Sequence, residues 1–354
     1  MTAKAEKMTK AIIAGDIAEV ERLIAKGYPV SGKNILKQIE TGGKKLSLYT
    51  TPLEYALSEK QFDIAKLLID SGAEMPASNS PLIRAIRLGR PDLFAYMVEH
   101  GAVLEKTKGA VVQLLANLAG NWDDAYIPWI AALHLPIKRY GGDGLHCAAQ
   151  ENKPRMADYL LSLGVDIDAG EDFAGDTPVL QAAQENHFEM VRYFAERGAD
   201  LSIANRYGER PYTAARRIHN HEMAEYIRSM EPEELHSQEV QARRFEQYQV
   251  PKAMEEYLRS GNLRLELSGN PALSWIKLYS YMDVPEMVCA GKKVLSLVED
   301  SDDGDITLVW EPKSRKVCFW DAEEDTLRKM GAWEEFIVRP GILLDRVIVW
   351  AQPL

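Results

Sequence analysis

A short phrase recurs at regular spacing along the first two thirds of the chain, and it limits the possible folds more than any other feature. Five stretches are versions of it: LIAKGYPV at 23–30, LLIDSGAEM at 67–75, MVEHGAVL at 97–104, LLSLGVDID at 160–168 and YFAERGADL at 193–201. The glycines of the last two, Gly164 and Gly198, are 34 positions apart. A unit of that length cannot bury its own apolar face, so consecutive units must stack into a solenoid.

A second motif opens the repeats and predicts a helix at the start of each unit. In Thr51-Pro52 and Thr177-Pro178 the hydroxyl can cap a helix, while proline occupies the first turn, where its missing N–H costs nothing. Ala182-Ala183 is small enough for this helix to lie close against its neighbour. The recurring phrase then supplies a second helix with an apolar stripe, which ends at a glycine in the left-handed conformation. Each unit is therefore expected to be a pair of antiparallel helices.

The period and these two motifs resemble the ankyrin repeat over about residues 8–230. The resemblance implies an α solenoid of about six or seven repeats, in which a protein partner meets the loop tips and the first helices of the concave side. Proteins of this family work by binding, so this part of the chain is expected to be a protein–protein interaction module.

Two segments depart from the repeat. The segment from Ser31 to Tyr49 makes one unit about a dozen residues too long, so we expect a loop there, either an ordinary solvated one or one that contacts a partner. That segment contains Lys33, Lys37, Lys44 and Lys45. The segment from Lys106 to Tyr140 lacks both motifs but is rich in aromatic residues. Those residues either fill an irregular core or anchor an interface, because Trp and Tyr dominate interface hot spots.

The repeat period is lost after Met230, which divides the chain into three parts. Residues 1–230 are the solenoid, and residues 231–262, which are charged and helix-prone, are interpreted as a capping or connecting helix. Residues 263–354 alternate apolar and polar positions and predict a small α+β domain with an antiparallel sheet. Within it we expect a hairpin over 306–310 and 316–320, a helix with one apolar face, and a final strand over 346–350. The apolar face of that helix comprises Leu327, Met330, Trp333, Phe336 and Ile337.

Three short motifs in this last part occur in the order found in the C-terminal half of SUKH-type domains. They are Gly304-Asp305, Phe319-Trp320-Asp321 and Trp333-Glu334-Glu335-Phe336. The stretch from Tyr279 to Ile337 thus resembles that half of the family. Many of its members are bacterial immunity proteins, which bind and silence toxins delivered by neighbouring cells, and the resemblance implies the same role here.

Charge and apolar patterning restrict the partners. The chain has 42 Lys and Arg against 53 Asp and Glu, a formal net charge of −11, which disfavours a wide nucleic-acid-binding face and favours capture of a basic protein. Acidity that serves solubility alone is the competing interpretation. No apolar run reaches the roughly 20 residues of a membrane-spanning helix, and three cysteines are too few for a disulfide framework. We expect a cytoplasmic protein that contacts neither nucleic acid nor membrane.

The sequence carries no motif of an enzyme, a metal site or a cofactor site. The signatures of hydrolases, metalloproteases and nucleotide-binding proteins are missing, and the acidic stretch from Glu299 to Asp305 does not match the spacing of a calcium loop. The chain is therefore expected to have no enzymatic activity and to need no cofactor or metal. The competing hypothesis is a catalytic site in the C-terminal sheet, with carboxylates of perturbed pKa near Asp321.

Together these features predict a bacterial immunity protein, a monomer that binds a basic toxin domain in a one-to-one complex and covers its active site. The alternative is a cytoplasmic scaffold or an effector that recruits a cellular protein through its repeats. The candidate contacts are aromatic residues, an arginine and an acid, located at loop tips and in the irregular segment. They are Phe173, Asp172, Arg206, Tyr207, Tyr140, Trp122 and Tyr126.

Overall fold

The computed structural model of the chain describes residues 3–32, 35–41, 44–77, 81–170, 174–268, 270, 273–302 and 306–348. The chain divides into two compact units, which we call unit 1, Met1–Asp166, and unit 2, Ile167–Leu354. No helix among the described residues is both long enough and apolar enough to cross a bilayer.

Unit 1 is built mainly from helices that follow one another in antiparallel pairs, as the repeat predicts. A 3-10 turn, Asp124–Tyr126, precedes the eighth helix. The helices are α1 (Ala3–Ala14), α2 (Ile17–Ala25), α3 (Pro52–Ser58), α4 (Phe62–Asp70), α5 (Pro81–Arg87), α6 (Pro91–Glu99), α7 (Lys108–Gly120), α8 (Ile127–Ala132), α9 (Ile137–Tyr140), α10 (Gly142–Gln150) and α11 (Pro154–Ser162).

The long unit near the N-terminus contains a β-hairpin where the sequence led us to expect a loop. Strands β1 (Ile35–Thr41) and β2 (Lys44–Thr50) pair antiparallel, with Ile35 opposite Thr50 and Thr41 opposite Lys44. Both segments alternate apolar and polar residues, which is the two-residue period of a strand. The expectation of a plain loop is therefore corrected: the two-residue period of these segments favours strand pairing even inside a helical repeat.

The helix starts follow the capping chemistry that the Thr-Pro motif predicts. The Thr51 hydroxyl accepts a hydrogen bond from the Glu54 backbone N–H at 3.1 Å, and the Glu54 carboxylate accepts one from the Thr51 N–H at 3.3 Å. This reciprocal pair is a capping box, which satisfies two backbone donors at once. In unit 2 the Thr177 hydroxyl likewise accepts from the Leu180 N–H at 3.3 Å. The same local sequence thus begins helices in both units.

Unit 2 begins with two helix pairs and continues with helices that flank two sheets. A 3-10 turn, Glu233–His236, follows the second pair. The helices are α12 (Pro178–Gln184), α13 (Phe188–Glu196), α14 (Pro211–Arg217), α15 (His221–Met230), α16 (Gln238–Gln247), α17 (Lys252–Arg259), α18 (Trp333–Val338) and α19 (Pro340–Asp345).

The strands of unit 2 form two antiparallel sheets. The strands are β3 (Arg264–Glu266), β4 (Trp275–Leu278), β5 (Glu286–Cys289), β6 (Lys292–Ser296), β7 (Val298–Ser301), β8 (Leu308–Glu311), β9 (Lys316–Asp321) and β10 (Thr326–Gly331). The larger sheet has the order β10-β9-β8-β6-β5, and the smaller has the order β3-β4-β7. Pairing of β8 with β9 confirms the predicted hairpin, with Trp310 opposite Val317.

Two expectations for the C-terminal region are corrected. Residues 326–331 form strand β10, paired with β9 from Thr326 opposite Asp321 onward, so Leu327 and Met330 lie in a strand and the helix begins only at Trp333. Their spacing is helical, but the open edge of β9 provides backbone partners that override the local pattern. The described part of the predicted final strand, 346–348, is a turn after α19, and residues 349 and 350 lie outside the described residues.

The larger sheet is covered on both faces. Along β9, Val317 and Phe319 pack in one core and Cys318 and Trp320 in another, as the alternation of side chains in a strand requires. We call these the major core and the minor core. Residues of α16 and α17 enter the major core, and the Trp310 indole donates a hydrogen bond to the Tyr248 carbonyl at 2.9 Å. The boundaries drawn at 230 and 262 stay a prediction.

Candidate partner-binding surface

A tight turn between α13 and α14, residues 205–209, carries two of the predicted contact residues, and we call it the fingertip. The Asn205 side-chain oxygen accepts hydrogen bonds from the N–H groups of Tyr207 and Glu209, each at 2.9 Å. The Asn205 amide donates to the Asp176 carboxylate at 2.6 Å. One buried asparagine therefore shapes the turn and directs Arg206 and Tyr207 to its end.

The fingertip packs on the larger sheet of its own unit. The Tyr207 and Trp320 rings have centroids 5.7 Å apart, and the Arg206 guanidinium lies 5.2 Å from the centroid of Trp320. Tyr207 is half-buried against the minor core, while Arg206 is exposed. A Cβ on Gly208 would lie 2.7 Å from the Glu286 carbonyl oxygen, so the backbone approach is very close. These residues thus have an intramolecular contact, and binding to a partner there stays a prediction.

Three further residues were predicted as partner contacts: Asp172, Phe173 and Tyr140. Phe173 and Asp172 lie outside the described residues. Tyr140 is half-buried at the end of α9, with the Arg139 guanidinium 5.2 Å from its ring centroid. Nothing in that geometry marks Tyr140 as a surface anchor.

Tyr126 lies in the core of unit 1. Its exposed fraction is 0%, and its ring meets Phe94 edge to face, with centroids 5.3 Å apart. Burial raises the pKa of Tyr126 to about 12. The aromatic residues of the irregular segment were expected either to fill a core or to anchor an interface. Tyr126 fills the core, and no partner can reach its ring in the structure described.

Trp122 borders a solvent-facing cleft between α8 and α11. Its indole ring contacts Tyr159 at a centroid distance of 5.9 Å, and its N–H donates to the Asp124 carboxylate at 3.0 Å. We call this feature, with Trp122 at its border, the aromatic cleft. Its volume is about 350 Å³, and its walls are Asp124, Ile127, Arg155, Asp158, Tyr159 and Ser162.

The polar groups of the aromatic cleft are unequally satisfied. Arg155 forms an ion pair with Asp124. The Tyr159 hydroxyl is buried and has no hydrogen-bond partner among the described residues, and burial raises its pKa. A buried hydroxyl without a partner costs free energy. Trp122 was expected from the sequence, whereas Asp158 and Tyr159 were missed because they sit in an ordinary repeat helix.

Unit 2 also contains a buried charge network that no sequence motif indicated. The Glu231 carboxylate, fully buried, lies 2.9 Å from the Arg210 guanidinium and 2.7 Å from His236 Nε2. Burial raises the pKa of Glu231 to about 7, although Arg210 acts to lower it. Burial lowers the pKa of both Arg210 and His236. The network joins the last helix pair to the 3-10 turn, so it serves packing in unit 2.

Asp321, near which the enzymatic hypothesis places its carboxylates, is paired, and the two buried thiols of unit 2 have raised pKa values. Asp321 forms an ion pair with Arg328 at 2.6 Å. Burial raises the pKa of Cys289 to about 12 and that of Cys318 to about 11, so both thiols are protonated and poor nucleophiles at neutral pH. Among the described residues, no group of three or more His, Cys, Asp or Glu is placed to hold a metal ion.

Consecutive antiparallel helix pairs with repeated caps are typical of helical repeat proteins. A comparison with protein families supports this class for part of the chain. Residues 129–237 match the sequence model of ankyrin repeats in three copies. Ankyrin repeats are therefore supported over residues 129–237. The likeness of Tyr279 to Ile337 to SUKH-type domains, and the number of repeats, stay predictions.

Two curated relatives are similar over part of the chain. One is an ankyrin repeat protein of fowlpox virus (strain NVSL), 30% identical over 134 residues, which are 37% of this chain and 30% of the relative. The other is an ankyrin repeat protein of Rickettsia bellii (strain RML369-C), 39% identical over 62 residues, which are 18% of this chain and 36% of the relative. The chain thus spans about a third of the length of the relatives it matches.

Solved structures of ankyrin repeat domains are also similar. The human ASB11 ankyrin repeat domain has a TM-score of 0.48 and 21% identity, covering 64% of this chain and 97% of that one. The ankyrin repeat domain of Bcl-3, a member of the IkappaB family, has a TM-score of 0.32 and 19% identity, covering 63% and 85%.

Proposed function

We propose that this protein acts by binding another protein and catalyses no reaction of its own. The match of residues 129–237 to ankyrin repeats carries the proposal, since these repeats are interaction modules. The aromatic cleft supports it, because the cleft faces solvent and offers aromatic and charged groups, the chemistry typical of interface anchors. The fingertip of unit 2 supports it less, because Tyr207 is already packed on Trp320.

The specific partner we propose is a basic toxin domain, held in a one-to-one complex that covers its active site in the cytoplasm of a bacterium. Two observations support this version. Residues 167–354 hold 22 Lys and Arg against 34 Asp and Glu, so unit 2 is strongly acidic, and Tyr279 to Ile337 resembles SUKH-type immunity domains. An acidic surface speeds capture of a basic partner.

The second candidate is a scaffold or effector that recruits a cellular protein. The names of the two relatives are compatible with this candidate, because they mention ankyrin repeats and no immunity role. One relative is from a virus and the other from a bacterium. Both candidates act by binding a protein, and they differ in whether the partner is toxic and encoded nearby.

Co-expression separates the two candidates. The reading frame next to this gene is expressed alone and together with this chain, and cell survival is measured. Immunity predicts that the neighbour kills cells, that this chain restores growth, and that the two proteins co-purify at a one-to-one ratio. A harmless neighbour that does not bind contradicts the immunity version. The binding function itself is contradicted if cross-linking in the native cells captures no protein reproducibly.

A further inference from the structure

The β-hairpin of unit 1 is a sheet of its own, and its second strand has one edge without a neighbouring strand. Strands β1 and β2 pair along their whole length, and the sheet contains only these two strands in the part of the chain that the structure describes. The contacts of the hairpin with helices are made chiefly by β1, which lies against α1 and α3. Strand β2 is therefore the outer strand of the hairpin.

The register shows which backbone groups of β2 point away from β1. Thr41 is opposite Lys44, with two residues between them in the sequence. In a hairpin with two connecting residues, the pair that flanks the connection is hydrogen-bonded, and bonded and non-bonded pairs then alternate along the strands. The N–H and C=O groups that point outward are consequently those of Lys45, Ser47 and Tyr49.

The other sheet edges are shorter or are met by other elements. In the larger sheet, β10 contacts α18 and α19, and the Glu286 carbonyl oxygen of β5 would lie 2.7 Å from a Cβ on Gly208. In the smaller sheet, the edge strands β3 and β7 have three and four residues. With seven residues each, β1 and β2 are the longest strands described. An open edge of this length is a template for pairing with another strand.

The sequence of this segment determines which strand could pair with it. Residues 31–50 contain four lysines and one acidic residue, Glu40, and Lys44 and Lys45 are the first two residues of β2. Lysine in an edge strand is a common protection against pairing with other copies of the same chain. It does not oppose an acidic strand, since opposite charges attract and like charges are rejected at an interface. The edge of β2 therefore favours an acidic partner segment.

We propose that β2 accepts an extended segment of the protein partner as a third strand, antiparallel to β2. The outward N–H and C=O groups of Lys45, Ser47 and Tyr49 bond to the main chain of the segment, and acidic residues at its C-terminal end are placed opposite Lys44 and Lys45. In strand addition, main-chain hydrogen bonds give affinity and side chains at alternate positions give specificity. This assignment rests on the proposed binding function, and it concerns one segment of the partner rather than the partner's net charge.

The test uses the full-length chain and labelled peptides, with binding measured by fluorescence anisotropy. Acetyl-Thr-Val-Val-Thr-Val-Glu-Glu-amide, the acidic peptide, has its two glutamates opposite Lys45 and Lys44 in the antiparallel register. A second peptide has lysine in place of both glutamates. We expect saturable binding of the acidic peptide and binding of the lysine peptide that is weaker by about tenfold or more, because like charges then lie opposite each other.

Two N-methylated forms of the acidic peptide test the main-chain hydrogen bonds. N-methyl groups on its second, fourth and sixth residues remove the donors that point toward β2 in this register, and should abolish binding. N-methyl groups on its third and fifth residues point away from β2 and form the matched control, which should bind as the unmodified peptide does. The natural chain is used throughout, so this comparison does not depend on the folding of any variant.

A substitution in β2 locates the site on the protein. Ser47→Pro removes one outward donor, at a position where an edge strand tolerates proline because the nitrogen faces away from the paired strand. It should weaken binding of the acidic peptide about two- to tenfold, the effect of one hydrogen bond. Ser47→Ala keeps the N–H and should leave binding unchanged. Circular dichroism and the urea midpoint show whether Ser47→Pro is folded, and if it is not, the N-methylated peptides decide.

Equal binding of the two N-methylated peptides, or no binding of the acidic peptide, would overturn the proposal. Equal affinity for the acidic and lysine peptides would do the same. A dimer of the natural chain in sedimentation that Ser47→Pro abolishes would assign the edge to a second copy of this chain instead.

These outcomes are distinguishable from failure of the proposed function. A chain whose capture of its cellular partner is unaffected by a folded Ser47→Pro binds through another surface, so the function stays and strand addition is wrong. A chain that binds the acidic peptide but has no cellular partner keeps the strand-pairing edge and loses the proposed function.

Discussion

Two glycines of unit 2 have the same left-handed backbone conformation and different surroundings. Gly198 has φ +88° and no atom within 4 Å of an added Cβ, whereas Gly208 has φ +79° and would place that Cβ 2.7 Å from both the Glu286 carbonyl oxygen and the Pro285 Cβ. A side chain at either position would therefore strain the backbone, but of these two positions only Gly208 would also place it in a clash with the sheet.

Gly208→Ala should destabilise the protein well beyond Gly198→Ala. We expect about 1–2 kcal/mol for the control, the cost of a left-handed alanine, and roughly 1–3 kcal/mol more for Gly208, the usual cost of overpacking. The free energy of unfolding in urea measures both. Equal losses in the two variants would mean that the fingertip moves off the sheet without cost.

Glu231 should make stability depend on pH in a particular direction. Its pKa is raised to about 7 in the fold from an ordinary value of 4.5, so between these pH values the folded state binds the proton more tightly than the unfolded state. The Glu231 contribution to stability is therefore present at low pH and is lost as pH rises through 7. The lowered pKa of His236 acts in the opposite direction below pH 6.5.

The stability of the natural protein relative to Glu231→Gln should rise by up to about 3 kcal/mol between pH 8 and pH 5. The comparison cancels the titrating groups that do not contact Glu231, because both proteins share them. Urea denaturation at the two pH values supplies the four free energies. A difference that does not vary with pH would show that the Glu231 carboxylate keeps an ordinary pKa.

At the scale of elements, helices α16 and α17 depend on the sheets that follow them. Phe245, Met254 and Leu258 are at most 2% exposed and lie in the major core. Deleting residues 263–354 would uncover them together with Tyr207, which packs on the minor core. Each such side chain contributes about 1.5–3 kcal/mol by its burial.

The truncated chain 1–262 should therefore keep helical circular dichroism but bind a hydrophobic dye and aggregate. The full-length protein at equal concentration is the reference and should do neither. Dye fluorescence and light scattering after gel filtration make the measurement. A monomeric truncated chain with no dye binding would mean that the apolar side chains of α16 and α17 are buried without the sheets.

For the whole molecule, charge is distributed unevenly between the two units. Residues 1–166 hold 20 Lys and Arg against 19 Asp and Glu, whereas residues 167–354 have a formal net charge of −12. Charge of one sign on a large surface accelerates encounter with an oppositely charged protein and has less effect on its release.

Association with a basic partner should consequently slow about tenfold or more between 50 and 300 mM NaCl. The dissociation rate should change much less over the same range. Stopped-flow fluorescence at several salt concentrations gives both rates, and Glu323→Lys, at an exposed position, should flatten the dependence. An association rate that does not change with salt would mean that the acidic residues of unit 2 serve solubility and do not steer the partner.

The sequence by itself determined the features that depend on neighbours close in the chain. The helix pairs, the Thr-Pro caps and the hairpin of β8 and β9 were predicted because a cap joins residues three positions apart and a hairpin joins adjacent segments. The ankyrin repeats follow from the same local patterns, repeated at a fixed period. Trp122 is a candidate contact through residue type alone, and partner binding there stays a prediction.

The tertiary structure decided what depends on residues distant in the chain. Tyr207 meets Trp320 across more than a hundred positions, and Leu327 joins a strand because β9 offers an open edge. Tyr126 and Trp122, four residues apart, lie in the core and at the surface respectively. The burial of a side chain depends on the elements that pack against it, and a pattern of a few neighbouring residues does not identify those elements.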